Sequence, residues 1–347
     1  MVPSGGGPLS SNKFFVYVAS MTANAAMSVR IGLIVLVLSA FGSAQTSEPA
    51  AGWRNPIVKK GYLHSPVCEA SPFVFKGKLY RLESWQKYWE LPGLPPPGTR
   101  FHEDCVRVCD AETGKVVSVA MVNHGFASAI VWDKRVYVFS SSWGEGKPWR
   151  KASEIEMTSS EDLVHWTEPV VAIRAEPGEN LYNVAVCRGK DRFVLLYETD
   201  DPKYVPFTFK YFSSPDLKNW TRVPDAFYGR DKYVGGPALY FAGDWYYTLY
   251  LQDLGGKWET RITRSKDLAH WEDAPPGRAF LTPDYSHDHL PLRAANIKED
   301  NASDAELCAW NGKTFIYFCG SDQQYAGDLQ WAEFDGSPRE LLEWFFK

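Results

Sequence analysis

Three acidic residues, Glu69, Glu198 and Asp304, have the side chains and the sequence positions expected of a general acid/base site. Glu69 and Asp304 each lie about eight residues before a short polar turn between two apolar segments. Glu198 ends an apolar segment and precedes Asp200 and Asp201, and nearby acids raise the pKa of a carboxyl group. One carboxylate can take a proton from water while a protonated carboxyl donates to a leaving oxygen, which is the chemistry of glycoside hydrolysis.

We therefore predict Glu69 as the general base, Glu198 as the general acid and Asp304 as an orienting group. The alternative for Glu69 and Asp304 is a structural role, in which each closes a strand end or joins two neighbouring sheets. Other polar and aromatic residues of the surrounding segments could bind the hydroxyls and ring faces of a sugar. These predicted substrate contacts are His124, Asn183, Asp200, Gln252, Trp143 and His287.

A metal site and a cofactor site are not predicted. His287 and His289 flank Asp288 and could hold a metal ion, but no third ligand follows with a clear spacing. We therefore expect sugar hydrogen bonding or loop structure at these histidines. The sequence also contains no Gly-rich phosphate loop and no Gly-x-Ser-x-Gly segment.

A seven-residue motif recurs three times and indicates a repeated structural unit. Each copy has a Ser, an Asp-Leu pair and a Trp, and the pairs lie 54 and 51 residues apart. Ser and Asp side chains bond to neighbouring backbone amides in turns, whereas Leu and Trp pack against a sheet. We interpret the motif as a β-turn and discount its acids as catalysts. The copies span 160–166, 214–220 and 265–271.

Five segments consist of an apolar strand, a tight polar turn and a strand rich in Tyr and Phe, which predicts five β-hairpins. They span 71–83, 128–140, 183–198, 237–251 and 306–318. One hairpin and the strands around an Asp-Leu turn form a four-stranded sheet that cannot bury its own faces. We predict an all-β fold, a five-bladed β-propeller of four-stranded antiparallel blades over residues 62–347. We expect the tail, 329–346, to supply the closing strand.

The long loops of such a propeller lie at one end. The hairpin turns and Asp-Leu turns are short and open at the other end, whereas the remaining loops are longer and rich in acids and aromatics. Counting back from each hairpin turn predicts which residues begin the five inner strands. They are Glu69, Phe126, Asn183, Gly235 and Asp304. Loops on a rigid scaffold commonly carry function, so we expect a site in this funnel, walled by 84–104 and 275–304.

Composition and charge exclude some partners. Of the 347 residues 45% are hydrophobic, as in a globular chain, and the net charge of -5 offers no basic field for nucleic acid. The expected partner is a carbohydrate substrate, and we expect a monomer. The six cysteines can form disulfides in an exported protein, although we interpret most of them as buried small hydrophobes.

The sequence of the N-terminal segment 1–44 indicates that the protein is exported from the cytoplasm. Residues 31–40 are an apolar run that follows Arg30 and precedes small residues, which is typical of a secretory signal peptide. We expect translation to start at Met27, cleavage after Ala44 and a linker over 45–61. The protein would then be secreted or periplasmic with no membrane association, and the alternative is a retained N-terminal anchor.

The turns and hairpins resemble those of the five-bladed β-propeller glycoside hydrolases of families 43, 32, 62 and 130. The resemblance covers nearly the whole chain after the signal segment. For family 43 it implies an Asp base in blade one, an Asp in blade two that tunes acidity, and a Glu acid in blade three. This chain has Glu69 in blade one, no carboxylate at Phe126 in blade two, and Asn183 with Glu198 in blade three. It therefore resembles a divergent relative.

The resemblance and the acids together predict an exported glycoside hydrolase. We expect it to act on a plant or algal poly- or oligosaccharide, from a chain end and with inversion. One alternative is a carbohydrate-binding propeller without turnover. A second is a sialidase-like hydrolase, which would need three arginines at the funnel, and Arg293 alone stands out as a candidate.

Overall fold

Short apolar segments form the strands of this chain, tight turns connect many of them, and the strands are arranged in four-stranded blades. The computed structural model describes residues 52–63, 65–87, 103–142, 152–205, 207–283, 300–320 and 329–347. Blade one contains β2 (Ala70–Phe75), β3 (Lys78–Trp85), β4 (Cys105–Asp110) and β5 (Val116–Val122). Blade two contains β6 (His124–Trp132), β7 (Arg135–Ser142), β8 (Glu154–Ser160) and β9 (Val170–Arg174).

The other three blades follow the same order from inner to outer strand. Blade three contains β10 (Leu181–Arg188), β11 (Phe193–Thr199), β12 (Thr208–Ser214) and β13 (Thr221–Tyr228). Blade four contains β14 (Gly235–Ala242), β15 (Trp245–Asp253), β16 (Trp258–Ser265) and β17 (Trp271–Asp273). Blade five contains β18 (Asn301–Trp310), β19 (Lys313–Cys319), β20 (Leu329–Phe334) and β1 (Val58–Tyr62).

The five blades form a closed ring. Each inner strand contacts the inner strand of the next blade, from β2 through β6, β10 and β14 to β18, and β18 contacts β2 again. The buried apolar side chains form five clusters, one between each pair of neighbouring blades. Burial between blades therefore supplies the core that a single sheet lacks. The predicted all-β, five-bladed propeller is confirmed.

All five predicted hairpins are the first two strands of a blade. The pairs are antiparallel and join β2 to β3, β6 to β7, β10 to β11, β14 to β15 and β18 to β19. In blade four, β15 ends and β16 begins at the end of the blade where β14 begins.

The three Asp-Leu motifs are turns, as predicted. In the first copy Asp162 Oδ1 accepts from the backbone N–H groups of Val164 and His165, both at 2.8 Å. Asp216 and Asp267 do the same in their copies, so hydrogen bonds hold the pKa of all three carboxyls well below its usual range. The Leu of each motif is buried against the preceding blade. These acids are bound by the turn and are not available for catalysis.

The ring is closed by a strand from the N-terminal side of the chain. Strand β1 pairs antiparallel with β20 and is the outer strand of blade five. The expected closing strand from the tail is wrong, because β20 is the third strand of that blade. The tail continues as helix α1 (Pro338–Trp344), which starts with a capping box between Ser337 and Glu340. The indole Nε1–H of Trp344 donates to the backbone carbonyl of Arg54 at 3.1 Å.

A disulfide joins the first and last blades. Cys68 precedes blade one and Cys319 ends β19, and their Cα atoms lie 4.5 Å apart across 251 residues of sequence. Cys105, Cys109 and Cys187 are free and buried, as predicted for small hydrophobic side chains. No helix within the described ranges has the length and apolar character needed to span a lipid bilayer.

Candidate active site

Backbone irregularities shape the start of the inner strands. Strands β6, β14 and β18 each contain a β-bulge, in which two residues lie opposite one residue of the partner strand. The first of the two has a left-handed backbone conformation: Phe126 (φ 58°), Gly236 (φ 50°) and Asp304 (φ 52°). A bulge re-aims the side chain that it carries. The three residues occupy equivalent positions in blades two, four and five, and they carry a phenyl ring, no side chain and a carboxylate, respectively.

Glu198 lies next to the bulge in β14. It is the penultimate residue of β11 and 5% exposed. Its Oε2 accepts from the Asn183 side-chain amide at 3.1 Å and from the Gly236 backbone N–H at 3.0 Å. Two neighbouring blades therefore fix the carboxyl group in one orientation.

The surroundings of Glu198 favour its protonated form. Burial is the largest cause, and the charges of Asp304 and Asp200 act in the same direction. Together they outweigh the hydrogen bonds from Asn183 and Gly236 and raise the pKa of Glu198 to about 8. Most molecules thus carry a proton on this carboxyl at neutral pH, which is what a general acid requires.

A pocket at the centre of the propeller brings the predicted residues together. Glu69, Asn183 and Asp304 line it, with Gly236 and Glu306. Asp304 accepts from the Ser303 hydroxyl at 2.5 Å, and burial raises the pKa of Asp304 in spite of that bond. Glu198 contacts this pocket through two of its lining residues. Two of the three acids predicted as the catalytic set therefore line one small space, and the third is hydrogen-bonded to two of its lining residues.

Sequence reasoning missed one acid of this pocket. Glu306 lies two residues after Asp304 on β18 and also lines the pocket. Burial, helped by the charge of Asp304, raises its pKa to about 8 although Ser71 donates a hydrogen bond to it. Ser71 in turn accepts from the Ala129 backbone at 3.3 Å, which links blade five to blades one and two. The alternation of side chains along a strand was the signal that could have identified it.

Asp200, a predicted sugar contact, is held by its own blade. Its carboxylate accepts from the Tyr182 hydroxyl at 2.7 Å and from the side-chain and backbone N–H groups of Asn180. It therefore fixes the segment that carries Asn183, and it acts on Glu198 through its charge. A direct contact with a sugar stays a prediction.

Asp201 has a different role from the one that its position suggested. Its Oδ2 lies 2.8 Å from the Nζ of Lys210, which is 1% exposed on its side chain and also pairs with Glu179 at 2.5 Å. The negative charge of Asp201 is therefore compensated locally. Among the acids that follow Glu198, Asp200 is the one whose charge raises the Glu198 pKa.

Two of the remaining predicted contacts, His124 and Gln252, lie within the described residues. Both ring nitrogens of His124 contact protein, Nδ1 at 2.7 Å from the Val122 carbonyl and Nε2 at 3.1 Å from Glu156 Oε2. Gln252 is half-buried near the end of β15, opposite Glu259. Trp143 and His287 lie outside the described residues. Within the described ranges no three His, Cys, Asp or Glu side chains are arranged to hold a metal ion.

Comparisons with solved structures identify the fold. A structure of a BT0996 RGII complex superposes with a TM-score of 0.58 at 16% identity, over 80% of this chain and 90% of that protein. A thermostable family-43 glycoside hydrolase gives 0.53 at 10%, over 77% and 88%. A Cellvibrio cellulosa alpha-L-arabinanase mutant gives 0.52 at 12%, over 78% and 92%. This chain has the propeller fold of these structures. No protein-family model and no curated protein matches the sequence.

We expect Gly236 to tolerate a side chain poorly. A Cβ atom there would lie 2.2 Å from Asp304 Oδ1. Gly236→Ala is therefore expected to displace Asp304, to lower the free energy of unfolding by about 1–3 kcal/mol and to reduce turnover at least about tenfold. Urea unfolding and kcat on a confirmed substrate measure the two effects.

Gly255→Ala is the matched control for Gly236→Ala. Gly255 also has a positive φ, 80°, but an added Cβ would meet no atom within 4 Å. It therefore isolates the cost of a left-handed alanine from the cost of the contact with Asp304. Equal losses of stability and activity in the two variants would contradict the steric explanation.

The raised pKa of Glu306 also predicts how stability depends on pH. Because the folded pKa of Glu306 is about 8 and the ordinary value is 4.5, the folded state retains a proton that the unfolded state releases. The contribution of Glu306 to the free energy of unfolding is therefore fully present below about pH 4.5 and is lost as pH rises through about 8. Glu306→Gln should raise the Tm at pH 8.5 by about 2 °C or more, and should change it little at pH 4.5. The exposed Glu112→Gln serves as the control, and equal shifts at both pH values would contradict the prediction.

Proposed function

We propose that this propeller is a glycoside hydrolase in which Glu198 is the general acid and Glu69 the general base. The observation that carries the proposal is the buried, hydrogen-bonded Glu198 with a pKa of about 8, at a pocket that Glu69 and Asp304 line. Glu198 donates its proton to the glycosidic oxygen as the bond to the anomeric carbon breaks. Glu69 takes a proton from water, whose oxygen bonds to that carbon. Asp304 orients the reacting groups.

The proposed substrate is a plant or algal poly- or oligosaccharide, cleaved from a chain end with inversion. The names of the similar structures support this class, since they include an RGII complex, a xyloglucan-locus protein and an alpha-L-arabinanase. The small size of the central pocket favours cleavage at a chain end over cleavage within a chain. Inversion requires acid and base groups roughly 6.5–9.5 Å apart, with room for the attacking water.

A substrate panel tests the proposal. Purified protein is incubated with arabinan, xyloglucan oligosaccharides, RGII oligosaccharides and a set of aryl glycosides, and products are detected by proton NMR within the first turnovers. We expect release of a single sugar with the opposite anomeric configuration. Binding without product across the whole panel would favour the alternative, a carbohydrate-binding propeller. Retention of configuration would leave a hydrolase but would contradict the assigned role of Glu69.

We also propose that the protein is exported and monomeric. The apolar run at 31–40 and the Cys68–Cys319 disulfide support export, because disulfides persist in oxidising compartments. N-terminal sequencing of protein recovered from the periplasm or medium should begin at Gln45, and light scattering should give one chain. Recovery of an uncleaved chain from the cytoplasm would contradict export.

A further inference from the structure

A buried ion pair lies beside the strand that carries Glu198. Lys210 on β12 and Glu179, which precedes β10, are 1% and 2% exposed on their side chains, and Lys210 Nζ lies 2.5 Å from Glu179 Oε2. Asp201 Oδ2 lies 2.8 Å from the same ammonium group. Transfer of charges from water into a protein interior is costly, and apolar residues of similar volume often stabilise a fold equally well. Stability alone therefore does not account for this pair.

The carboxylate of Glu179 contacts the two residues that flank Glu198 in β11. Its Oε1 accepts from the Tyr197 hydroxyl at 3.3 Å, and its Oε2 accepts from the Thr199 hydroxyl at 3.1 Å. Because side chains alternate along a strand, Tyr197 and Thr199 point to one face of β11 and Glu198 points to the other. The ion pair therefore holds β11 from the face opposite to the Glu198 carboxyl group.

The same pair also fixes the segment that supplies a hydrogen bond to Glu198. Glu179 Oε1 accepts from the backbone N–H of Glu176 at 2.9 Å, and the Glu179 N–H donates to the Glu176 carbonyl, so both bonds close the turn before β10. Asn183, four residues after Glu179, donates to Glu198 Oε2 at 3.1 Å. The strand that carries the carboxyl group and the amide that orients it are thus attached to one buried ion pair.

We propose that Lys210 and Glu179, which we call the positioning pair, hold Glu198 in the orientation in which its carboxyl group reaches the leaving oxygen. This inference rests on the proposed function, because it gives a purpose to the fixed orientation of the general acid. Lys210 compensates the negative charge of Glu179 in the interior, and the carboxylate oxygens accept from both flanking hydroxyls. Neither member of the pair lines the central pocket, so both are positioning residues that act through Glu198.

A double variant that keeps every charge tests the positioning pair. Tyr197→Phe with Thr199→Val removes the two hydroxyls that join Glu179 to β11 and keeps the shape of both side chains. We expect kcat on a confirmed substrate to fall roughly 10-fold or more, because the acid is placed less precisely. The decline of the rate near pH 8 should move at least about 0.5 pH unit lower, since water that reaches Glu198 removes part of the burial that keeps it protonated. The variant leaves unchanged the titratable groups that face Glu198, which are Asp304, Asp200 and Tyr233.

Tyr247→Phe with Thr248→Val is the matched control. These two hydroxyl-bearing side chains are also buried on the second strand of a blade, but they belong to blade four and lie near its hairpin turn. We expect the wild-type rate and pH profile from this control. A second variant, Lys210→Met with Glu179→Leu, removes the positioning pair without a change in net charge and should act in the same direction as the hydroxyl variant. Wild-type kinetics in the hydroxyl variant, or an equal loss in the control, would overturn the proposal.

A measurement without substrate separates this inference from the proposed function. The Tm of each protein is compared with that of its Glu198→Gln counterpart across about pH 4 to 9. Because the folded pKa of Glu198 is about 8 and the ordinary value is 4.5, its contribution to stability is fully present below about pH 4.5 and is lost as pH rises through about 8. We expect this loss to be complete at a lower pH in the hydroxyl variant, and at the wild-type pH in the control.

The outcomes of the two measurements are distinguishable. An earlier loss in the hydroxyl variant supports the positioning pair even if no substrate is ever hydrolysed. Hydrolysis by wild type, with the same pH dependence in all variants, would overturn the positioning pair and leave the proposed function intact. The absence of a pH-dependent contribution from Glu198 in wild type would contradict both.

Discussion

Glu198→Gln is expected to reduce kcat at least about 100-fold on a confirmed substrate, while the protein folds as before. Glutamine keeps an oxygen that can accept from Asn183 and Gly236, but it has no proton to give to the leaving oxygen. The wild-type rate should decline as pH rises through about 8, because Glu198 then loses its proton. Steady-state kinetics from pH 5 to 9 and circular dichroism measure both expectations.

Asp191→Asn is the control for this variant. Asp191 belongs to the same blade, but it lies at the exposed hairpin turn at the other end, where it pairs with Arg192. We expect wild-type kinetics from it. If Glu198→Gln kept near-wild-type turnover, Glu198 would not be the acid, and Glu306 would become the next candidate because it lines the same pocket.

Removal of the Cys68–Cys319 disulfide should produce the largest loss of stability. The bond closes a loop of 251 residues, for which the loss of chain entropy in the unfolded state corresponds to about 5 kcal/mol. Because Cys68 precedes Glu69, we also expect the proposed base to be held less firmly and kcat to fall. Urea unfolding of the double variant Cys68→Ser, Cys319→Ser, against oxidised wild type, measures the effect.

Cys308→Ser provides the comparison for the disulfide variant. Cys308 is free, half-buried and also close to the interface of blades five and one. It reports the cost of replacing a sulfur by a hydroxyl without opening the ring. A loss as large as that of the double variant, or no response of wild type to reducing agent, would contradict the role assigned to the bond.

The blades could be predicted because their signals are local. Each Asp-Leu turn uses hydrogen bonds between residues two and three positions apart, and each hairpin turn joins strands that are adjacent in sequence. Repetition of these units then determined the number of blades. The positions of Glu69 and Asp304 followed from the same count, and both line the central pocket.

The rest depended on contacts between distant parts of the chain. The bulge in β14 places Gly236, one residue beyond the predicted Gly235, at the position equivalent to Asp304. Asp201 pairs with Lys210 on the next strand. The sequence of the acids alone therefore did not reveal which of them keeps an uncompensated negative charge. The pairing of β1 with β20 joins residues more than 250 positions apart, and no local pattern announces it.

The site depends on the order of the blades in space and not on the point at which the chain enters the ring. The N-terminal strand β1 completes the last blade, and the indole of Trp344 contacts the backbone of Arg54, so both flanks of the propeller meet. A circular permutant could therefore join these flanks with a short linker and begin instead at an exposed hairpin turn, such as Asp133–Lys134. It would keep all five blades whole and present the same carboxylates from the same directions.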